Sequence, residues 1–311
     1  MLKILGIWIK EFRGLFLLFV TLPVILGSAI ACVFYPAEFS LFYFALSMIA
    51  MLSLHAGTII INDYFDFKSG TDVINEDRTP YSGGSGLLPE KMLRPYEVLA
   101  AGGMCFAVCI VIGMAIVIFR SPAVLAIGMI GVALGFFYTA PPFKLAYRGM
   151  GELARFVATP LMVIGALLVQ APVTSIQELE QFILPLTVAI SSSIPIAFLN
   201  TAALYIFEFP DYKADVASGK RNLVVRLNTR NAVKLFIAMI AMAYISLIAG
   251  IAAGLLPLLS GIALVTAPLA ASAMLGLMEY HDNPGKLVPY LKRTSDTYII
   301  ASIALIAAFV I

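Results

Sequence analysis

The sequence predicts an all-α fold, a polytopic transmembrane bundle of about nine helices, and three observations predict it. Of its 311 residues, 61% are hydrophobic and only 12% charged, and the mean hydropathy is +0.98, well above the roughly half-apolar makeup of a soluble domain. Apolar runs of about 20 residues, the length that crosses a hydrocarbon core roughly 30 Å thick, recur with short polar breaks between them. The Lys and Arg residues gather in alternate breaks, as they do where short cytoplasmic loops join the helices of one bundle.

Lys3, Lys10 and Arg13 precede the first apolar run as they would in a signal peptide. Phe16 to Tyr35 is long, however, and many similar runs follow, so it reads as a retained first helix over about 14–35. Further spans fall at about 39–61, 97–119, 122–139, 151–170, 182–207, 232–253, 256–280 and 295–311, all within one domain over 1–311. The split at Leu255-Leu256-Pro257 is marked by almost no polar residue. With the N-terminus inside, the loops near 62–96, 140–155, 208–231 and 281–294 face the cytoplasm and hold nearly all the Lys and Arg. Arg120 lies on the other side with Glu38, Glu178 and Glu180. The expectation is a multi-pass protein of a cell membrane, with its charged loops cytoplasmic and its C-terminus outside. Cys32, Cys105 and Cys109 fall inside apolar runs without metal-ligand spacing and read as buried small hydrophobes. A net charge of +2 with no basic face implies no nucleic-acid partner.

Two cytoplasmic loops, after spans two and six, are long and densely charged. The first reads Asn62-Asp63-Tyr64-Phe65-Asp66-Phe67-Lys68-Ser69-Gly70-Thr71-Asp72 and follows the apolar run Thr58 to Ile61 directly. If the helix continues, Asn62 and Asp66 stand one turn apart on one face, and Asp72 reaches back after Gly70 breaks the helix. The second reads Glu208-Phe209-Pro210-Asp211-Tyr212-Lys213-Ala214-Asp215, and Asp211 and Asp215 have the same i, i+4 spacing. Facing pairs of hard oxygen ligands suit Mg²⁺, which completes its octahedron with water and substrate phosphate, whereas the lack of His and Cys disfavours zinc. Capping and solvent exposure explain one such cluster equally well. Two clusters at the same end of two spans are harder to dismiss, because ionisable groups near hydrocarbon cost about 2.5–3.5 kcal/mol each. Their separation by half a chain hints at an internal duplication.

Basic residues accompany the acids: Arg78, Lys144 and Arg148, and in the second loop Lys213, Lys220 and Arg221. Carboxylates holding Mg²⁺, with cations alongside, form a clamp for a diphosphate leaving group. The cytoplasmic bias toward basic residues accounts for any one of them without function, Lys220 and Arg221 above all, and less so for Lys144 behind Pro141-Pro142. Ser82-Gly83-Gly84-Ser85-Gly86 could offer backbone N–H groups to an anion. It does not match the Gly-x-x-x-x-Gly-Lys-Ser/Thr phosphate loop, so nucleotide hydrolysis is unsupported.

These residues resemble the UbiA superfamily of intramembrane prenyltransferases, whose signatures are an Asn-Asp-x-x-Asp first motif continuing to a further Asp and an Asp-x-x-x-Asp second motif. Here these are Asn62 to Asp72 and Asp211 to Asp215. The likeness covers the whole chain, the superfamily having nine transmembrane helices with both motifs on cytoplasmic loops. The stretch from Gly70-Thr71-Asp72 through Arg78-Thr79 to Gly86 is similar to the branch that prenylates 1,4-dihydroxy-2-naphthoate on the way to menaquinone and vitamin K. The resemblance implies that Asn62, Asp66, Asp211 and Asp215 coordinate two Mg²⁺ on a polyprenyl diphosphate, with Asp63 supporting the metal site. It implies that Arg78, Lys144, Asp72 and Lys213 serve the diphosphate and that Tyr138 lines the site near the allylic carbon. The catalytic set is then Asp66, Asp211, Asp215, Lys144 and Tyr138.

The implied chemistry is departure of diphosphate, an allylic cation in a water-poor cavity, and attack by a small aromatic or lipid-like acceptor that meets the donor at the bilayer. Phe65, Phe136, Phe137 and Tyr138 offer aromatic faces to that cation, or else packing at the membrane boundary. No residue stands out as a general base, and His55, within span two, reads as a packed polar residue. Other acceptors, such as 4-hydroxybenzoate or geranylgeranylglyceryl phosphate, use the same metal motifs. A secondary transporter is the alternative from another class, but its ionisable residues would lie near mid-span rather than at one membrane face.

Overall fold

The computed structural model describes residues 2–171 and 176–311. These residues form thirteen α-helices: α1 Leu2–Glu11, α2 Leu18–Phe34, α3 Leu41–Ser69, α4 Thr71–Ile74, α5 Pro95–Phe119, α6 Val124–Phe137, α7 Gly151–Gln170, α8 Ile176–Phe207, α9 Tyr212–Ser218, α10 Leu223–Leu227, α11 Thr229–Ala252, α12 Ala267–Tyr280 and α13 Pro284–Val310. Among the described residues the only β-type pairing is an isolated bridge between Thr79 and Ser82. Among the described residues seven helical segments are long and apolar enough to cross a bilayer, and the shorter apolar helices α2 and α6 bring the set to nine, consistent with the expectation of about nine. In hydrocarbon only a helix satisfies every backbone group internally, which is why so apolar a chain takes this form.

The ends of the spans differ from expectation in ways that matter for the site. Helix α3 runs eight residues beyond Ile61 and carries the first acidic motif on its own last turns. Helix α13 begins at Pro284 rather than near 295, because Asn283 caps it through an Oδ1 that accepts from the Lys286 N–H. The eighth span is not one continuous α-helix: Leu258–Thr266 winds as a 3₁₀ helix, and Pro268, in the first turn of α12, cannot donate into the preceding turn. Helix α1 was not expected. Its Ile7 and Trp8 pack with Ile60, Leu87, Leu88 and Val98 beneath the first charged loop.

The principal core joins α2, α7, α8, α11, α12 and α13. Phe19 and Tyr298 are its centre: the rings stack 4.9 Å apart, and the Tyr298 hydroxyl donates to the Phe19 carbonyl at 2.9 Å. On the other side α3 packs along α5, with Leu54, Ile61, Phe106 and Cys109 between them. Helix α6 buries none of its residues. Between α6, α3, α5 and α7 a space is left open, and this space becomes the site. Large apolar side chains such as Met104, Val111, Ile118 and Phe119 point outward, as the lipid-facing side of a span requires.

Close helix contacts rest on small residues, as they do where lipid is as apolar as the core. A Cβ built on Gly27 of α2 would overlap the Val163 carbonyl of α7, whereas one on Gly103 of α5 meets nothing. Gly27→Val is therefore expected to lower stability by about 1–3 kcal/mol, seen as a lower thermal unfolding midpoint in detergent, with Gly103→Ala near wild type. Equal midpoints would contradict the α2–α7 packing described.

Candidate active site

The last two turns of α3 present Asn62 and Asp66 to one side and Asp63 to another, as a period of 3.6 dictates. Gly70 ends the helix with φ +88°, a conformation only glycine adopts readily, and its N–H bonds back to Phe67. The reversal delivers Asp72, in the first turn of α4, back toward Asp66, and both line the cavity described below.

Two N–H groups of the glycine-rich loop go to carboxylates of the protein itself. Gly83 N–H donates to Asp211 Oδ2 at 3.0 Å, and Ser85 N–H donates to Asp63 Oδ2 at 2.8 Å. The loop thus ties the two acidic motifs to each other. Gly84, at φ +69°, sits so close to Asp72 that a Cβ there would overlap the carboxylate. Arg78 holds this loop from outside, its Nε donating to Gly83 O at 2.7 Å and its Nη2 to Asp72 O at 3.0 Å, with Glu90 3.8 Å from Nη1.

The second motif begins where α8 stops at Phe207, three residues before Pro210. Asp211 precedes α9, Asp215 lies one turn on with its N–H bonded to Asp211 O, and Gly219 at φ +78° ends the helix. The chain turns back there, and Lys220 enters the site. Its Nζ lies 3.0 Å from Asp66 Oδ2 and 3.7 Å from Asp215 Oδ1, joining the two motifs. The side chain is 13% exposed, against 75% for Lys213, which points away and pairs with Asp77. Each carboxylate has a further partner. Asn75 Nδ2 donates to Asp211 Oδ1 at 2.8 Å, Asn222 Nδ2 donates to Asp215 Oδ2 at 2.7 Å, and the Tyr147 hydroxyl donates to Asp66 Oδ1.

Crowding buried acids raises their pKa values. Burial, reinforced by Asp66 and Asp63, pushes Asp72 up to about 9. Burial lifts Asp215 to about 7 against the lowering pull of Lys220, with Asp211 and Asp66 adding to the rise. Asp211 is raised by burial as well, and Glu208 is held well above the usual carboxylate range by burial and by Glu152. Burial alone would lower the Lys220 ammonium, but Asp215 and Asp66 outweigh it and hold it well above the ordinary lysine value.

Asn62, Asp66, Asp72, Asp211, Glu208 and Lys220 line one end of a cavity of about 730 Å³. Its remaining walls are largely apolar and run between α3, α5, α6 and α7, past Met51, Leu54, Val117, Ile127 and Met162. Phe136, Phe137 and Tyr138 also line it, whereas Phe65 packs with the α3–α5 cluster instead. Lys144 does not line the cavity; it follows the turn at Pro141-Pro142 with φ +47°, its Nζ 5.3 Å from the centre of the Tyr147 ring. The residues the sequence did not single out are Tyr147, Asn75, Asn222 and Glu208. Lys220 is legible in the sequence only as a basic loop residue that charge bias explains better than function does; Gly219 before it is the signal that the chain returns.

The donors available to a cation are all hard oxygens. Asp63 Oδ1 and Glu208 Oε2 are buried without a hydrogen-bond partner among the described residues, which is the condition of ligands awaiting a cation or a proton, while Asp215 Oδ1 has only the Lys220 ammonium at 3.7 Å. Among those residues no three His, Cys, Asp or Glu side chains converge into a ready-made cage. Hard carboxylate and amide oxygens are the donor type of Mg²⁺, which takes one or two carboxylates with phosphate and water completing its shell.

Residues 18–295 match the model of the UbiA prenyltransferase family. Over 276 residues the chain is 25% identical to the 1,4-dihydroxy-2-naphthoate octaprenyltransferase of Bacillus subtilis, covering 88% of this chain and 83% of that one. It is also 25% identical over 280 residues to the 2-carboxy-1,4-naphthoquinone phytyltransferase of Synechocystis sp., covering 89% and 84%. The fold is similar to that of a UbiA homologue from Archaeoglobus fulgidus bound to GPP and Mg²⁺, with a TM-score of 0.61 at 17% identity over 97% of this chain and 99% of that one.

Asp72 and Asp215 have folded-state pKa values raised above the ordinary carboxylate value of about 4. Their contribution to stability is complete below about pH 4 and is lost as pH rises through about 7 and then about 9. Metal-free protein is therefore expected to melt at progressively lower temperature from about pH 5 to 9, and Asp72→Asn to flatten the upper part of that curve. Thermal unfolding in EDTA across this range checks it; a midpoint that climbs with pH would refute the assignment.

Proposed function

The chain belongs to the UbiA prenyltransferase family, and from that premise we propose that it transfers a polyprenyl group from its diphosphate to 1,4-dihydroxy-2-naphthoate, a step of menaquinone biosynthesis. The observation that carries the reading is the single cavity joining a carboxylate and lysine cluster to an apolar interior. A polyprenyl diphosphate has the same division, a dense anion on a hydrocarbon chain. The acceptor is supported by the two relatives, whose names share a naphthalene-derived acceptor carrying a carboxylate while differing in the prenyl group. Chain length is accordingly left to the apolar walls.

In this reading Asn62 and Asp66 on α3, with Asp211 and Asp215 around α9, hold two Mg²⁺, and Asp63 and Asp72 support them. The bound ions supply charge neutralisation for the departing diphosphate. Lys220 adds an ammonium to the same leaving group, a role for which Lys213, exposed and paired with Asp77, is poorly placed. Tyr147 and Asn222 fix the Asp66 and Asp215 carboxylates. Arg78 acts through the glycine loop it holds, and Lys144, beside Tyr147, adds positive charge at the rim of the site. The apolar walls exclude water from the allylic cation as the C1–O bond breaks, and the faces of Phe136, Phe137 and Tyr138 stabilise its charge.

The acceptor ring then attacks C1 through its carboxylated carbon. The carboxylate leaves as CO₂, and the electron pair of that bond restores the aromatic ring, so this step requires no general base at the ring carbon. The charged end of the bundle faces the cytoplasm, where a polar acceptor arrives, and the prenyl donor enters from the bilayer into the one domain over 1–311.

The test is turnover of radiolabelled geranylgeranyl diphosphate by purified protein in detergent with Mg²⁺ and, separately, dihydroxynaphthoate, 4-hydroxybenzoate or geranylgeranylglyceryl phosphate. Prenylated naphthoquinol is expected with the first acceptor alone, with loss of at least about 100-fold in Asp66→Ala and in Asp211→Ala and abolition by EDTA. Product with another acceptor would overturn the acceptor, and metal-independent turnover would overturn the site.

A further inference from the structure

A second polar feature of the cavity takes no part in the steps above. Arg155, in the second turn of α7, lines the cavity wall. Its Nε donates to Asn200 Oδ1 at 3.0 Å. Asn200 is itself fixed, since its Nδ2 donates to Thr159 Oγ1 at 3.1 Å and to the Phe19 carbonyl at 3.2 Å, which leaves its carbonyl to face the arginine. The guanidinium carbon lies 5.7 Å from the centre of the Phe19 ring, and that ring is stacked on Tyr298. The side chain is therefore held in one orientation by a built bracket from α2, α7 and α8.

Arg155 forms no ion pair among the described residues, unlike Lys220. Its Nη1 and Nη2 groups have no protein acceptor there. A guanidinium does not lose its proton, and an uncompensated cation inside a membrane bundle is unfavourable, so the position calls for an anion. His55 of α3 lines the same cavity, is only 7% exposed, and has an Nε2 without a hydrogen-bond partner among the described residues. Arg13 lines it too. The cavity wall thus carries Lys220 among the carboxylates and, beyond them, the Arg155 guanidinium, which has no ion-paired acid among the described residues, with the His55 imidazole also on the wall. Lys220 serves the diphosphate, and a planar fork with two open N–H edges matches a carboxylate.

We infer that Arg155 is a specificity-determining residue that binds the carboxylate of an aromatic hydroxy-acid acceptor, with His55 Nε2 beside it. The inference rests on the prenyl-transfer reading and adds what selects the acceptor. Asn200 and Thr159 are positioning residues for this contact.

Two measurements test it. In wild type, 1-hydroxy-2-naphthoate is expected to inhibit transfer to dihydroxynaphthoate at a concentration roughly 10- to 150-fold lower than 1-naphthol, which lacks the carboxylate. In Arg155→Gln the acceptor KM is expected to rise by a similar factor with the KM for geranylgeranyl diphosphate unchanged, the preference between the two inhibitors to vanish, and Arg155→Lys to recover part of both. The inhibitor comparison needs no variant, so it stands even if Arg155→Gln folds poorly. Equal inhibition by the two compounds in wild type overturns the inference, as does a rise in the diphosphate KM alone. Absence of turnover in wild type with every acceptor would instead overturn the functional reading on which the inference rests.

Discussion

The contact on which the site depends is the bridge from Lys220 to Asp66 and Asp215. It joins helix α3 of the first half to the segment after α8 in the second, and all three side chains are withdrawn from water. A buried ion pair contributes little net stability, because desolvation offsets the attraction, but removing one partner strands the other at a cost of about 3–5 kcal/mol. Its value here is geometric. A cation between two carboxylates keeps them close without a metal, and the same carboxylates are then available when diphosphate brings stronger positive partners.

Everything around the bridge limits how far it can move. The glycine loop carries hydrogen bonds from Gly83 to Asp211 and from Ser85 to Asp63, so the first motif's own loop pins the second motif. Arg78 closes the loop from behind, and Asn75, Asn222 and Tyr147 each hold one carboxylate oxygen. This concentration of polar groups is tolerated because it lies at the charged end of the bundle, while the cavity leading away from it is lined by α6, a short helix with no buried residue. A tightly packed α6 would leave no room for a hydrocarbon chain. The uneven packing of the bundle, dense around Phe19 and Tyr298 and open beside α6, is what gives the site its two chemical halves.

The sequence carries the spans and the acidic motifs because both depend on local rules. Hydrocarbon thickness sets the length of each run, and helical periodicity puts Asn62 and Asp66 on one face whatever surrounds them. Gly70 is legible as a helix end for the same reason, and φ +88° follows from its lack of a side chain. What the sequence leaves open is decided by tertiary contact. Lys213 and Lys220 are indistinguishable as loop lysines, yet one pairs with Asp77 in solvent and the other is buried between the motifs. The Ser82 to Gly86 stretch reads as an anion nest, and the N–H groups of Gly83 and Ser85 within it are instead taken by the protein's own carboxylates. Tyr147 shows no motif of its own; only the fold brings it to Asp66, 81 residues away. The eighth span reads as one helix by hydropathy, which is blind to the missing N–H of Pro268.

The central claim is that the two motifs form one cation and diphosphate site rather than two surface clusters. Electron paramagnetic resonance of Mn²⁺ with an unreactive prenyl thiolodiphosphate measures this directly, in wild type and in Asp66→Asn and Asp215→Asn. The account predicts tight Mn²⁺ binding that appears only with the analogue and is lost when either carboxylate is neutralised. Mn²⁺ binding that is indifferent to the analogue, or that survives loss of one motif unchanged, would contradict it.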